Sequence, residues 1–254
     1  MNTIVTCAII FAFVFGGALL GILLNSILPK HHLSSESRDI IKLGMGLVGT
    51  MAALILGLLT ASAKNSFDAQ NSGLVQISAN VIILDRILSH YGPETEEARD
   101  ILRHIIGNEL NKGWAMEQPH APGTKPIEER VEGLFNNIME LTPKNETQTY
   151  LKSQAQSLAM SMAQARWLMF EQGVNRISMP FLIVLVFWLT VIFMSFGLFA
   201  PPNLTIVITL LICALSVSAA IFLIMELDQP FQGIIHVNTA PLQSAYDEIS
   251  LHLH

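Results

Sequence analysis

The sequence predicts an all-α integral membrane protein: four transmembrane helices, with a helical extramembrane domain inserted between spans two and three. Three observations carry that expectation. Only 13% of the 254 residues are charged and 51% are apolar, whereas a soluble domain carries about 25% charge. Four uncharged apolar runs are each long enough to cross a bilayer, which takes about 20 residues. Between the second and third runs, residues 64–176 carry 11 basic and 14 acidic side chains. Apolar residues recur there at three- and four-residue spacing, the period of an amphipathic helix.

The elements follow in order. Lys30 is the first charged residue, so Ile4 to Leu28 forms span one, closed by Pro29. Met1-Asn2-Thr3 carries no positive charge, and the run exceeds the roughly 7–15 apolar residues of a signal-peptide core, so it reads as a span rather than a leader. Span two is Leu43 to Ala63, bracketed by Lys42 and Lys64, whose ammonium groups can snorkel to headgroups. No residue from 177 to 225 is charged. Ala200-Pro201-Pro202-Asn203 divides that stretch, because proline cannot continue a helix. Span three is then Ile177 to Phe199, with Pro180 near its start, where a missing N–H costs least. Span four is Leu204 to Met225.

In the middle region, Leu74, Ile77, Val81, Leu84 and Leu88 form one helical stripe that Gly92-Pro93 ends. Glu94 to Leu110 reads as a second helix, with Glu94, Glu96 and Glu97 at the end where the helix dipole favours acids. Gly113 to Pro126 is a loop by composition. Pro126 to Leu141 is a third helix, with Val131, Leu134, Phe135, Ile138 and Met139 on one side. Thr142-Pro143 supplies a cap and a first-turn proline for a fourth helix, whose stripe is Ala155, Leu158, Met162, Ala165 and Met169. The expected organisation is a first transmembrane hairpin at 1–63, a soluble helical domain at 64–176, a second hairpin at 177–227 and a peripheral tail at 228–254.

Composition excludes several function classes. A net charge of −6 lacks the basic face that duplex binding needs, so nucleic acid is not an expected partner. Low charge and high apolarity exclude disorder, and the absence of short alternating strands excludes a membrane β-barrel. Cys7 and Cys213 lie inside apolar runs and read as inert thiols. His31, His32, His90, His104, His120, His236, His252 and His254 show no ligand spacing, so no metal and no cofactor is expected. No acid or histidine lies inside a span, which leaves an intramembrane enzyme without a candidate catalytic group. Gly44-Met45-Gly46-Leu47-Val48-Gly49 matches G-x-G-x-x-G, but it opens a membrane span rather than following a strand, so it is not a dinucleotide loop. Gly17-x-x-x-Gly21 in span one, and Ala53, Gly57 and Ala61 in span two, are small-residue faces suited to close helix packing or oligomers. Hydroxyls inside the spans, such as Thr190, Thr209 and Ser216, are expected to bond backbone carbonyls or neighbouring helices. Glu226 and Asp228 stand where span four ends, where the dipole disfavours acids. They read either as the water line or as groups that cap the next segment or bind an ion. Charge leaves the orientation open: the short loop from Pro29 to Lys42 holds Lys30, Arg38 and Lys42, yet basic residues also flank the middle domain.

A resemblance adds to this reading. Leu56-Gly57-Leu58 followed by Asn65-Ser66-Phe67-Asp68, Ala165-Arg166-Trp167, Met179-Pro180 with Trp188, and Glu226-Leu227-Asp228-Gln229-Pro230-Phe231-Gln232-Gly233 with Thr239-Ala240-Pro241-Leu242 resemble the bestrophin-like family of bacterial four-span membrane proteins. The post-span signature of Glu226, Asp228, Pro230, Phe231, Gly233, Pro241 and Leu242 is its most specific part. It is similar to the segment after the last span of bestrophins, which are pentameric anion channels. The resemblance implies a homo-oligomer, a pentamer if it holds throughout, in a bacterial inner membrane, with the termini and helical domain cytoplasmic. It also implies that span two lines a pore for small anions, with Thr50, Leu54 and Leu58 at an apolar neck. Their i, i+4, i+8 spacing sets them on one stripe. Leu58 replaces the aromatic of that neck. Ile234-Ile235-His236-Val237 stands where animal bestrophins carry a calcium-binding acid cluster, so calcium gating is not implied. Two functions are then expected to compete: an ion channel, and a non-conducting scaffold or sensor whose helical domain docks a protein partner.

Overall fold

The computed structural model describes residues 3–28, 35–111, 127–174, 179–201, 203–231 and 233–251. Among them are eight α-helices and no strand: α1 (Thr3–Ile27), α2 (Ser35–Tyr91), α3 (Glu96–Asn111), α4 (Ile127–Glu140), α5 (Glu146–Val174), α6 (Met179–Phe199), α7 (Leu204–Leu227) and α8 (Ala240–Leu251). The all-α class is therefore met. The chain divides into two compact units, Met1–Ser66 with Arg176–Asp228, and Phe67–Asn175 with Gln229–His254.

The first unit holds α1, the start of α2, α6 and α7. Among the described residues these are the four helices long and apolar enough to cross a membrane. A helix suits that role because it satisfies its own backbone polar groups. Its core is apolar: Ile10, Val14 and Ala18 of α1 pack in one cluster with Leu185, Ile192 and Phe193 of α6 and Ala214, Ile221 and Ile224 of α7. α1 and α6 approach closely because glycines line their contact. A methyl added at Gly17 would lie 2.8 Å from the Thr190 carbonyl oxygen, one at Gly21 would overlap the Met194 carbonyl, and one at Gly197 would overlap that of Ala18. The Gly17-x-x-x-Gly21 face is thus used inside the protomer. Asn25 Nδ2 donates to the Ala200 carbonyl at 3.0 Å, tying the end of α1 to the end of α6. The hydroxyls of Thr190, Thr209 and Ser216 bond the carbonyl one turn back, at 2.7, 2.9 and 2.9 Å.

The second unit packs the rest of α2 with α3, α4, α5 and α8. Leu74, Ile77, Val81, Leu84 and Leu88 are all buried in its core, with Ala155 and Met169 of α5; Leu158, Met162 and Ala165 pack partly buried beside them. Asp85 is buried, and Arg99 clasps it through two hydrogen bonds at 2.8 and 3.0 Å, a geometry that satisfies both charges.

Four local expectations are corrected. Span two and the Leu74–Leu88 helix are one helix, because no proline interrupts the chain between them and Gly73 is covered by Met169. The fourth helix starts at Glu146 rather than at Thr142-Pro143: Asn145 is its cap, with Oδ1 accepting the Gln148 N–H at 2.8 Å. Met139 is 49% exposed, not on the buried side of α4. The tail is not peripheral. Val237, Leu242, Ala245 and Ile249 are buried in the core of the second unit, and Arg103 Nε donates to the Ile249 carbonyl at 3.0 Å, satisfying an acceptor at the end of α8. The loop expected at Gly113 to Pro126 lies outside the described residues, as do His31, His32, His120, His252 and His254.

Candidate functional site

The first part of α2 has two unlike sides. Ala52, Leu59 and Ala63 are buried and Met45, Val48, Ile55 and Leu56 partly so, all against the first unit's core. The opposite side carries Ile40, Leu43, Leu47, Met51, Leu54 and Leu58, with exposures from 44% to 77%. These positions share one helical stripe. Thr50, Leu54 (74% exposed) and Leu58 (63%) all fall on it. The spacing therefore places the three expected neck residues together, on a surface that no described residue of the protomer covers.

Coverage separates α2 from the other spans. Only 11% of its most apolar window is buried, against 28%, 39% and 22% for α1, α6 and α7. Its glycines differ too: a methyl added at Gly44, Gly46, Gly49 or Gly57 would meet nothing within 4 Å, and Ala53 and Ala61 are exposed. The G-x-G-x-x-G string is helical throughout.

The chemistry of the stripe is spare. The hydroxyl of Thr50 donates to the Leu47 carbonyl at 2.7 Å and that of Thr60 to the Leu56 carbonyl at 2.7 Å, so neither presents a free donor. From Leu43 to Ala63 no side chain carries charge. Near the start of α2, the Arg38 guanidinium sits 5.7 Å from the centre of the Phe199 ring, within reach of a cation–π attraction. Such a surface can pack another apolar surface or wall a narrow aqueous space. It offers no group for acid–base or nucleophilic chemistry. Sequence reading set the start of this span at Leu43 and missed Ile40. The i, i+3, i+7 continuation back through Leu47 and Leu43 is the signal that reaches it.

The post-span signature serves two local structures. Within the first unit, Glu226 is 3% exposed in the last turn of α7, and Asp228 closes that helix with its N–H on the Ile224 carbonyl at 3.2 Å. Within the second unit, Pro230 is buried and its carbonyl accepts the Val237 N–H at 2.9 Å, while Gly233 N–H donates to Gln229 at 3.1 Å. Phe231 packs on the core. Pro241 occupies the second helical position of α8, where its missing N–H is harmless, and Leu242 is fully buried. In that unit the signature forms a turn that delivers α8 to the core. Among the described residues no three His, Cys, Asp or Glu side chains converge as a metal site.

A family model described as a Bestrophin-like domain matches residues 12–242. No curated protein matches the sequence. Two crystal structures of a bacterial bestrophin homologue from Klebsiella pneumoniae, each with a single substitution, share the fold. One is 13% identical with a TM-score of 0.68, covering 93% of this chain and 97% of that chain. The other is 13% identical with a TM-score of 0.67, covering 96% and 98%.

Proposed function

The chain belongs to the Bestrophin-like family and has helices long and apolar enough to cross a membrane, and on that footing we propose that it is a homo-oligomeric channel for small anions rather than an enzyme. Copies assemble with the uncovered side of α2 toward a shared axis. Thr50, Leu54 and Leu58 form an apolar neck there, which gates by excluding water. The helical domain and both termini lie on the cytoplasmic side of a bacterial inner membrane, which follows the family resemblance.

The observation that supports the reading is the two-sided α2. An uncharged helix with one side packed on its own protomer and the other an open aliphatic stripe with glycines is suited to meeting its own copies around an axis. The test is ion flux through purified protein in liposomes. Wild-type protein carries anions, and Leu54→Ala, which trims the neck at an exposed position, raises that flux severalfold while leaving the thermal midpoint unchanged. An intact oligomer that carries no ions, wild type and variant alike, would overturn the proposal in favour of a non-conducting scaffold.

A further inference from the structure

The helical unit contains a cavity of about 230 Å³ that none of the functional assignments above uses. Its walls come from four helices: Ile77 of α2, Leu102 and Ile105 of α3, Phe135 of α4, and Met160 and Ala163 of α5 are among them. Almost all of that surface is hydrocarbon or thioether. The pocket opens to the surface beside Met160, which is 49% exposed, and its apolar wall suits an apolar guest; about 150 Å³ is enough for benzene. Three charged groups also line it, Glu109, Glu132 and Arg166. Arg166 Nη1 donates to Glu109 Oε2 at 3.1 Å. Two carboxylates against one guanidinium leave the lining one negative charge in excess. Phe135 and the methionine sulfur atoms present polarisable surface, which favours a cation over an anion.

We infer that this cavity binds a small apolar molecule, about one ring in size, that carries a single positive charge. The body fills the space among Leu102, Ile105, Phe135 and Met160. The cationic group sits by the carboxylates, with Glu132 as its counter-charge. This site lies wholly within the second unit and does not depend on whether the protein conducts ions.

Three probes of one shape but different charge test it: phenethylamine, 2-phenylethanol and phenylacetate, each titrated into the full-length protein in lipid nanodiscs. Binding is read from the methyl signals of labelled methionine at Met160 and Met162. Phenethylamine gives a saturable shift, phenylethanol a weaker one and phenylacetate the weakest. Glu132→Gln weakens phenethylamine binding about threefold, the size of one exposed ion pair, and leaves phenylethanol unchanged. Ala163→Phe, which puts a ring into the cavity, abolishes the shift. No saturable shift with any probe, tightest binding of the carboxylate, or binding that survives Ala163→Phe overturns the inference. Should Ala163→Phe not fold, the charge series and Glu132→Gln still decide.

Discussion

Gly17, Gly21 and Gly197 on the α1–α6 seam and Gly44, Gly46, Gly49 and Gly57 of α2 have opposite surroundings. At Gly17, Gly21 and Gly197 the missing side chain is what lets two backbones touch, since a methyl there would run into a carbonyl of the facing helix. At Gly44, Gly46, Gly49 and Gly57 a methyl would meet empty space. Small residues in a membrane helix mark close approach, and for α1 and α6 the approach is made inside one chain. For Gly44, Gly46, Gly49 and Gly57 it is not, although each glycine lowers helix propensity by about 1 kcal/mol relative to alanine. The lesson is that the same residue signal has a partner within the chain in one case and none among the described residues in the other. Composition alone could not have told them apart.

The sharpest way to break this comparison is substitution at the filled seam. Gly21→Leu forces α1 and α6 apart against a backbone that cannot yield. Overpacking costs about 1–3 kcal/mol and sometimes more, and the rigid neighbour places this variant at the upper end. Loss of a monodisperse peak in detergent, or a collapsed thermal midpoint, is the expected readout. The matching change on the open side, Gly57→Leu, leaves the isolated protomer's fold intact but alters the assembled particle's mass on native mass spectrometry. Equal damage from both would erase the distinction.

Leucine truncations sharpen it next. Leu185 is fully buried in the core of the first unit, so Leu185→Ala removes packing and leaves a cavity, at about 2–5 kcal/mol. Leu58 is 63% exposed, and Leu58→Ala changes stability by no more than about 0.5 kcal/mol. Thermal denaturation of both variants, at one detergent concentration, checks the contrast. A smaller effect comes from the polar tie at the end of the seam. Asn25→Ala deletes the bond to the Ala200 carbonyl, worth about 1 kcal/mol, and has no counterpart on the open side of α2.

Much of the fold was legible because a bilayer is a demanding solvent. Uncharged runs of sufficient length have few alternatives to a helix. The ends of α6 at Phe199 and of the next helix at Leu204 were readable from Pro201-Pro202. Legibility failed where the decision was tertiary. Nothing local distinguishes a helix that continues past Lys64 from one that stops there, since Asn65 and Ser66 serve in either. The tail carries a short stripe, Leu242, Ala245, Tyr246 and Ile249 at i, i+3, i+4 and i+7, but that it enters the core depends on the turn at Pro230 to Val237 that delivers it. For the candidate site, spacing gathered Thr50, Leu54 and Leu58 on one stripe. Which side of α2 the rest of the protomer leaves bare depends on Ala52, Leu59 and Ala63 meeting a core built from distant sequence.

The smallest expected effect sets the pH range in which the comparison stays clean. Gly92 turns the chain at φ 135°, a region open to glycine, and just beyond it the Lys144 ammonium donates to the Glu94 carboxylate. That hydrogen bond holds the Glu94 carboxyl below its ordinary value of 4.5 and the Lys144 ammonium above its ordinary 10.5. A depressed carboxyl stabilises the fold fully above its ordinary value and loses that stabilisation as pH falls through its lowered folded value. A raised ammonium does so fully below its ordinary value and loses it as pH rises through its elevated one. Between about pH 4.5 and 10.5 the pair is therefore constant, and differences between Gly21 and Gly57 variants belong to the membrane unit. Both partners are exposed, so the contribution is small and falls with salt. Lys144→Met should lower the thermal midpoint slightly at pH 7, by less at high salt, and should reduce the loss seen on acidification below pH 4.5. An unchanged acid limb in that variant would mean that other carboxylates set it.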